Sequence, residues 1–185
     1  MIIGCDLDGT VCDNLALLVD ELNNFTGDKI KLEDISEYDV TKVYNITKEQ
    51  FIQLMRQREE FIADKSPLII EADTYLKKLA DDKHKIHIIT ARSPKLKAVT
   101  SSWLNHYGLP FHGLHLLDSH DKVAICKSLG VDVMIEDNYN NAVQLAKAGI
   151  NVILFDAPHN LNWNWEGERC SLWQEIYMLI TKLDY

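Results

Sequence analysis

The sequence lacks features that would point to several whole classes of protein. Its four cysteines form no C-x-x-C pair and share no zinc-type spacing with histidine, which argues against a zinc module and suits a reducing compartment. No apolar stretch reaches the length of a membrane span. No signal peptide opens the chain, because Asp6 and Asp8 interrupt the first apolar run. These absences predict a cytoplasmic protein that makes no membrane contact.

Basic residues are also scarce relative to acidic ones. The chain has 19 Lys and Arg against 28 Asp and Glu, a net charge of -9. Polynucleotides and anionic membranes need a basic surface, so we expect neither as a partner. A small anionic substrate stays compatible, because one local cluster of cations can hold a phosphate. With 185 residues, the chain is long enough for one domain carrying a small inserted lobe.

Strand and helix patterns alternate with short loops from residue 71 onward, which is typical of an α/β domain with a parallel sheet. We predict a Rossmann-like parallel sheet flanked by helices, with a catalytic core of residues 1–13 and 71–185. Residues 14–70, called the inserted segment below, follow the first strand and are predicted to form a small helical cap. The predicted strands are 1–5, 85–90, 113–117, 131–135 and 151–155. The predicted helices are 14–25, 47–64, 71–82, 94–107, 121–129, 139–148 and 171–183, with loops at 28–46 and 156–170.

Polar residues follow four of these strands. Ligands bind at the carboxyl ends of the strands in open parallel sheets, so these side chains should converge on one edge. They are Asp6 and Asp8 after the first strand, Thr90 and Arg92 at the end of the second, with the backbone of Ala91 between them, Lys122 after the third, and Glu136 and Asp137 after the fourth.

The chemistry of this set is that of a phosphate and a hard metal ion. The carboxylates supply oxygen ligands, which suit Mg²⁺ better than zinc, and they would repel one another without a cation. Lys122 and the backbone near Thr90 offer partners for a phosphoryl group. An aspartate can then act as a nucleophile, because the cations screen it from the approaching phosphate.

The segment Asp6-Leu7-Asp8-Gly9-Thr10 after an apolar strand resembles the first motif of the haloacid dehalogenase-like hydrolase superfamily. The later motifs follow in the expected order. The resemblance implies that Asp6 is a nucleophile forming an aspartyl-phosphate. It also implies that Asp8 is the general acid and base, and that Lys122 holds the nucleophile and the phosphate together. An acid at position 8 favours phosphoester cleavage over dehalogenation.

The same resemblance implies the phosphate and metal ligands. Thr90 corresponds to the phosphate-binding hydroxyl, with Ala91, Arg92 and Lys122 as further phosphate contacts. Mg²⁺ is expected on Asp6, the backbone carbonyl of Asp8, Asp137 and Glu136. The Glu136-Asp137 pair differs from the usual Asp-Asp, and Arg92 stands where a small or apolar residue is usual. For Arg92 two alternatives stay open: it contacts the phosphate, or it pairs with a carboxylate at the start of the following helix.

A finer resemblance connects the chain to the 5′(3′)-deoxyribonucleotidase branch. It rests on Ile-Ile-Thr-Ala-Arg, Ile-Glu-Asp-Asn and the tail Leu-Phe-Asp-Ala-Pro-His-Asn, and it implies a nucleoside monophosphate as substrate. Two alternatives stay open. The protein could be a phosphatase for a sugar phosphate or for a nucleic-acid 3′-phosphate end, or a domain that binds a phosphorylated ligand without catalysis.

Several aromatic residues and histidines are harder to interpret. Tyr44 and Phe51 are the candidates in the inserted segment for stacking on a base. Trp163 and Trp165, in a polar loop, either pack on the core or form a subunit contact, which would make the protein a homodimer. We interpret three histidines as surface-loop residues rather than a metal cluster: His112, His115 and His120.

Overall fold

The computed structural model describes residues 1–183; residues 184 and 185 of the predicted core lie outside this range. Within the described part, no helix is both long and apolar enough to cross a membrane. The strands are β1 Ile2–Cys5, β2 Lys85–Thr90, β3 Gly113–Leu116, β4 Val133–Glu136, β5 Asn151–Phe155 and β6 Glu168–Cys170. The helices are α1 Leu15–Thr26, α2 Val40–Val43, α3 Lys48–Lys65, α4 Ala72–Asp81, α5 Lys97–His106, α6 Val123–Leu129, α7 Tyr139–Lys147 and α8 Trp173–Leu183.

All six strands lie in one parallel sheet, in the order β3-β2-β1-β4-β5-β6. This is the doubly wound arrangement, so the predicted α/β class is confirmed. Strand β1 is central, with Cys5 in register with Ile88 of β2 on one side and with Ile135 of β4 on the other. The chain reverses its direction of winding at β1. The crevice beyond the ends of β1 and β4 is therefore where a ligand is expected.

Apolar side chains cover both faces of the sheet, as a parallel sheet requires. Along β5, Ile153 and Phe155 belong to the buried cluster that includes Trp173 of α8. The alternate residues Val152 and Leu154 belong to the cluster on the other face. This two-sided burial explains why the strands read as continuous apolar runs.

Three local predictions differ from the structure. Strand β6 was predicted as loop, because three residues with the sequence Glu-Arg-Cys show no apolar alternation. The predicted loop 28–46 contains a 3-10 turn at Leu32–Asp34 and the short helix α2. The predicted helix 94–107 begins as a separate 3-10 turn at Pro94–Leu96. Pro94 has no backbone N–H to bond to a preceding turn, so the helical structure starts at this residue.

The inserted segment has a small core of its own. Its buried cluster includes Leu22, Ile35 and Leu54. A capping box begins α3, with reciprocal hydrogen bonds between Thr47 and Gln50. The two ends of the segment are tied together where it leaves and rejoins the sheet, by the hydrogen bonds Asp13 N to Pro67 O and Ile69 N to Val11 O, each 2.9 Å.

All four cysteines are free and buried. Cys5, on the central strand, has no exposed surface and packs as a small core residue.

Candidate active site

The centre of the site is a buried lysine between two buried carboxylates. The Lys122 Nζ lies 2.5 Å from Asp6 Oδ1 and 2.7 Å from Glu136 Oε2. Lys122 directly precedes α6, Asp6 directly follows β1, and Glu136 is the last residue of β4. The topology thus brings together three residues that are far apart in the sequence. Their burial makes each charge depend on the others, because none can be hydrated fully.

The protonation of these groups reflects that environment. Burial raises the pKa of Asp6 to about 7, against the lowering effect of Lys122. Burial also raises the pKa of Glu136. Burial alone would lower the pKa of Lys122, but the carboxylates of Asp6 and Glu136 outweigh it and raise that pKa above its ordinary value. Without a divalent cation, the acidic cluster therefore holds protons more tightly than isolated carboxyl groups would.

Asp8 lies beside this cluster and is paired with a second cation. Arg92 Nε donates to Asp8 Oδ2 at 2.8 Å, and Arg92 Nη2 donates to Asp8 Oδ1 at 2.7 Å. The other terminal nitrogen, Nη1, donates to Thr100 Oγ1 at 3.0 Å. The structure therefore places Arg92 on Asp8. Its predicted phosphate contact stays a prediction.

Thr90 and Ala91 form the turn between β2 and Arg92. Thr90 is buried, and its hydroxyl oxygen accepts a hydrogen bond from the Arg92 backbone N–H at 3.2 Å. The Thr90 carbonyl accepts from Leu117 N after β3. The turn is thus fixed at the same sheet edge as Asp6 and Asp8, where the sequence predicts a phosphate.

Three carboxylates could hold a metal ion. One ligand oxygen from each of Asp6, Glu136 and Asp137 lies within 4.8 Å of the others. Oxygen donors of this kind fit Mg²⁺. The approach of Asp137 depends on Gly9, since a Cβ on Gly9 would lie 2.1 Å from Asp137 Oδ2 and the backbone φ there is +82°. Three of the four predicted donors therefore lie together here, and ligation of the metal by them and by the Asp8 backbone carbonyl stays a prediction.

Glu136 has other partners as well. Its Oε2 accepts from Lys122 and its Oε1 accepts from the Asn138 backbone N–H at 3.0 Å. Both oxygens are thus engaged within the protein. The geometry gives Glu136 a role in holding Lys122, while direct metal ligation stays a prediction.

The loop after β5 supports Asp137. His159 Nε2 lies 3.2 Å from Asp137 Oδ2. Asn160, which is fully buried, donates from Nδ2 to the carbonyls of Asp137 and Phe155, both at 2.7 Å. Asn160 was missed. The signal for it was its position just after a fifth strand end, in the Leu-Phe-Asp-Ala-Pro-His-Asn tail.

The loop after β1, residues 6–10, is called the catalytic loop below, and it is one of the catalytic loops at this edge of the sheet. A cavity of about 810 Å³ extends from it into the inserted segment. Asp8 and Asp137 line its polar end, and Phe51 lines its wall in the inserted segment. Tyr44 does not line it. This tyrosine is buried, and its hydroxyl is hydrogen-bonded to Val19 O and Asn23 Oδ1, so it belongs to the segment's own core and the stacking prediction for Tyr44 is wrong.

Tyr38 was not identified from the sequence, yet it bridges the inserted segment and the core. Its ring lies edge-on to His120 at 5.6 Å and to His159 at 5.2 Å between ring centroids. Tyr38 as a whole is 48% exposed, but desolvation of its phenol group, followed by the charges of Asp137 and Asp6, raises the pKa of that group. His120 lines the cavity and is thus more than a surface-loop residue.

Three other residues singled out from the sequence do not line this cavity: His115, Trp163 and Trp165. His115 contacts His87 on the neighbouring strand, with 3.2 Å between Nε2 and Nδ1. Trp163 stacks on Tyr139, with 4.9 Å between ring centroids. Trp165 donates from Nε1 to Glu168 O. These contacts support packing on the core for both tryptophans, and a subunit contact stays a prediction.

Comparisons with known proteins show that the sequence is similar to those of nucleotidases. A family model described as "5′ nucleotidase, deoxy (Pyrimidine), cytosolic type C protein" matches residues 1–184. A protein from Halalkalibacterium halodurans, provisionally named a nucleotidase, is 37% identical over 158 residues, 85% of this chain and 80% of that protein. A nucleotidase from Clostridium acetobutylicum is 30% identical over 181 residues, 96% of this chain and 92% of that protein.

A solved structure shows the same fold at lower sequence identity. A haloacid dehalogenase-like hydrolase from Streptococcus pneumoniae superposes with a TM-score of 0.72, at 14% identity, over 97% of this chain and 97% of that chain.

Proposed function

Because the chain belongs to the family of cytosolic type C 5′ deoxy (pyrimidine) nucleotidases, we propose that it removes phosphate from nucleoside monophosphates by attack of Asp6 on phosphorus. The observation that carries this proposal is the contact between Lys122 Nζ and Asp6 Oδ1, 2.5 Å long and buried. It holds a carboxylate and a cation together at the switch point of the sheet, where the three-carboxylate cluster also lies.

The reaction has two halves. In the first, an Asp6 oxygen forms a bond to phosphorus as the bond from phosphorus to the leaving oxygen breaks, and Asp8 donates a proton to that oxygen. In the second, water attacks phosphorus and gives its proton to Asp8, and the bond from Asp6 to phosphorus breaks. Lys122 stays beside Asp6 throughout and offsets the charge of the phosphoryl group. A bound Mg²⁺, held by Asp6, Asp137 and the Asp8 carbonyl with Glu136 adjacent, would supply further charge neutralisation.

The substrate proposal rests on the cavity and on the relatives. The cavity begins at Asp8 and Asp137 and continues to Phe51 and its apolar neighbours Leu18 and Ile52. A phosphate at the polar end would place its organic group against this wall. Two relatives carry the name nucleotidase, which favours a nucleoside as that group.

The fold of the inserted segment supports a division of the chain into two parts. We propose that residues 1–13 and 71–185 form the catalytic core and that the inserted segment is a cap that covers the substrate. The separate buried cluster in the inserted segment supports this division. Four free cysteines favour a reducing compartment, in agreement with a cytoplasmic location.

A substrate panel tests the proposal directly. With Mg²⁺ present, phosphate release is measured from 5′- and 3′-nucleoside monophosphates, from sugar phosphates and from an oligonucleotide with a 3′-phosphate. We expect the highest kcat/KM for a nucleoside monophosphate. Preference for a sugar phosphate or for the oligonucleotide end would contradict the substrate class.

The nucleophile is tested by Asp6→Asn. Turnover should fall by about 10³-fold or more, because an amide does not attack phosphorus. The protein should remain folded by circular dichroism. Asp20→Asn, an exposed change on α1, is the matched control and should keep full activity. Wild-type turnover by Asp6→Asn would exclude the mechanism.

A further inference from the structure

We propose that Arg92 is a positioning residue that aims the Asp8 carboxyl at the leaving oxygen; the inference rests on the proposed function. The pair is bidentate, with Nε to Oδ2 at 2.8 Å and Nη2 to Oδ1 at 2.7 Å. A two-point contact fixes the plane of a carboxylate as well as its distance. Only 6% of the Arg92 side chain is exposed, against 27% for Asp8, so the arginine supports Asp8 from the protein side and leaves it accessible from the cavity.

The guanidinium is itself anchored. Nη1 donates to Thr100 Oγ1 at 3.0 Å, and Nη2 also lies 3.7 Å from Cys12 Sγ. Thr100, on α5, and Cys12 are both fully buried. Arg92 is therefore braced by packed elements on the side away from the cavity. Because Arg92 is held in one orientation, its two-point contact also fixes the orientation of the Asp8 carboxylate.

The two cations near the catalytic loop are divided between its two aspartates. Lys122 contacts Asp6, and Arg92 contacts Asp8. If Arg92 served mainly to bind phosphate, its donors would need to point into the cavity. Nε and Nη2 are instead used on Asp8, and Nη1 is used on Thr100. The partners of Arg92 thus favour a role in holding Asp8 over one in phosphate binding.

This role makes a prediction that depends on the leaving group. A nucleoside leaves as an alkoxide and needs a proton from Asp8, whereas p-nitrophenolate leaves readily without one. The value of kcat/KM reports only the steps through the first irreversible one, here the release of the leaving group. It therefore isolates the half-reaction in which Asp8 acts as an acid.

The test compares Arg92→Lys with wild type on a deoxypyrimidine 5′-monophosphate and on p-nitrophenyl phosphate. Lysine keeps the charge but cannot form the two-point contact. We expect kcat/KM to fall by about 10²-fold on the nucleotide and by less than about tenfold on p-nitrophenyl phosphate. The inhibition constant for inorganic phosphate should change by less than about threefold, since the phosphate contacts are intact.

A matched control breaks a similar pair elsewhere. Arg58 contacts Glu21 through Nε and Nη2, both at 2.7 Å, within the inserted segment. Arg58→Lys should leave both kcat/KM values close to wild type.

A second variant, Thr100→Val, removes the anchor of the guanidinium and keeps the side-chain volume. It should reproduce the substrate-dependent loss of kcat/KM on a smaller scale, and it replaces Arg92→Lys in the test if that variant does not fold.

Two results would overturn the inference. Equal losses on both substrates, with weaker inhibition by inorganic phosphate, would show that Arg92 binds the phosphate. Wild-type kcat/KM on the nucleotide in both variants would show that the pair has no part in the reaction. A wild-type protein inactive on both substrates would contradict the proposed function as well, which distinguishes the two failures.

Discussion

The catalytic loops and the inserted segment face each other across one cavity, but they are built differently. In the catalytic loops, charged groups are held by partners from other strands, as Lys122 is held by Asp6 and Glu136. The wall from the inserted segment is mainly apolar, with Phe51 and Ile52 on α3. The first region fixes atoms for one reaction, and the second offers a surface that an organic group can fit. Changes in the first should therefore affect turnover, and changes in the second should affect selectivity.

The strongest test of this contrast uses two glycines in the same backbone conformation. Gly9 has a φ of +82° and Gly27 a φ of +83°, but a Cβ on Gly9 would lie 2.1 Å from Asp137 Oδ2 whereas nothing lies within 4 Å of one on Gly27. Both alanine variants carry the same backbone strain of about 1–2 kcal/mol. Only Gly9→Ala must displace Asp137, so we expect it to lower kcat/KM by about 10²-fold or more and to raise the Mg²⁺ concentration needed for activity.

Gly27→Ala should lose stability to a similar degree and keep its activity. Thermal melting and a Mg²⁺ titration of phosphate release measure both properties. If the two variants lost activity equally, the close approach of Asp137 to the loop would not matter for the reaction.

The catalytic loops were more readable from the sequence than any other part of the molecule. Asp6, Lys122 and Asp137 could be brought to one edge because parallel strands end on the same side and each residue follows an apolar run. The sequence pattern did not predict which charged side chains pair with one another. Arg92 and Asp8 are 84 positions apart, and no periodicity shows which of several nearby anions a buried arginine will contact.

The inserted segment was less readable for a physical reason. Its apolar side chains build both a small internal core and the cavity wall, and Ile35 and Val40 take part in both. Both need apolar residues of similar size. Tyr44 belongs to the core and Phe51 lines the cavity, although they are seven positions apart and chemically alike. The contact of Tyr38 with two histidines depends on how the segment folds back over the core, which local sequence does not encode.

A smaller effect is expected when the cavity wall is changed. Phe51→Leu keeps an apolar side chain but removes the ring, so a stacked base would lose about 1–3 kcal/mol. We expect KM for a nucleoside monophosphate to rise roughly tenfold with kcat little changed, and KM for p-nitrophenyl phosphate, which has no base, to rise less. Phe25→Leu, on α1 and away from the cavity, is the matched control. A loss of kcat on both substrates would instead place Phe51 in the support of the catalytic loop.

The acidic cluster also predicts how stability depends on pH. Burial raises the pKa of Asp6 from its ordinary value of 3.8 to about 7, so the folded protein binds this proton more tightly than the unfolded chain does. The free energy of unfolding should therefore fall as pH rises from about 4 to about 7, and this group should add no further change above that range. Burial raises the pKa values of Glu136 and Asp137 in the same direction.

Mg²⁺ should oppose this loss, because it binds the ionised carboxylates of the folded protein and stabilises that state in proportion to its occupancy. Melting temperatures with and without Mg²⁺, at matched ionic strength, should differ little at pH 5 and by several degrees at pH 8. For a chain of this size, each kcal/mol corresponds to about 2–4 °C. Asp6→Asn should reduce the metal-free pH dependence, leaving the part that comes from Glu136 and Asp137, whereas Asp20→Asn should preserve it. An equal Mg²⁺ effect at both pH values would mean that the cation acts elsewhere on the protein. It would contradict the view that the charges of the acidic cluster control this site, in contrast to the apolar wall.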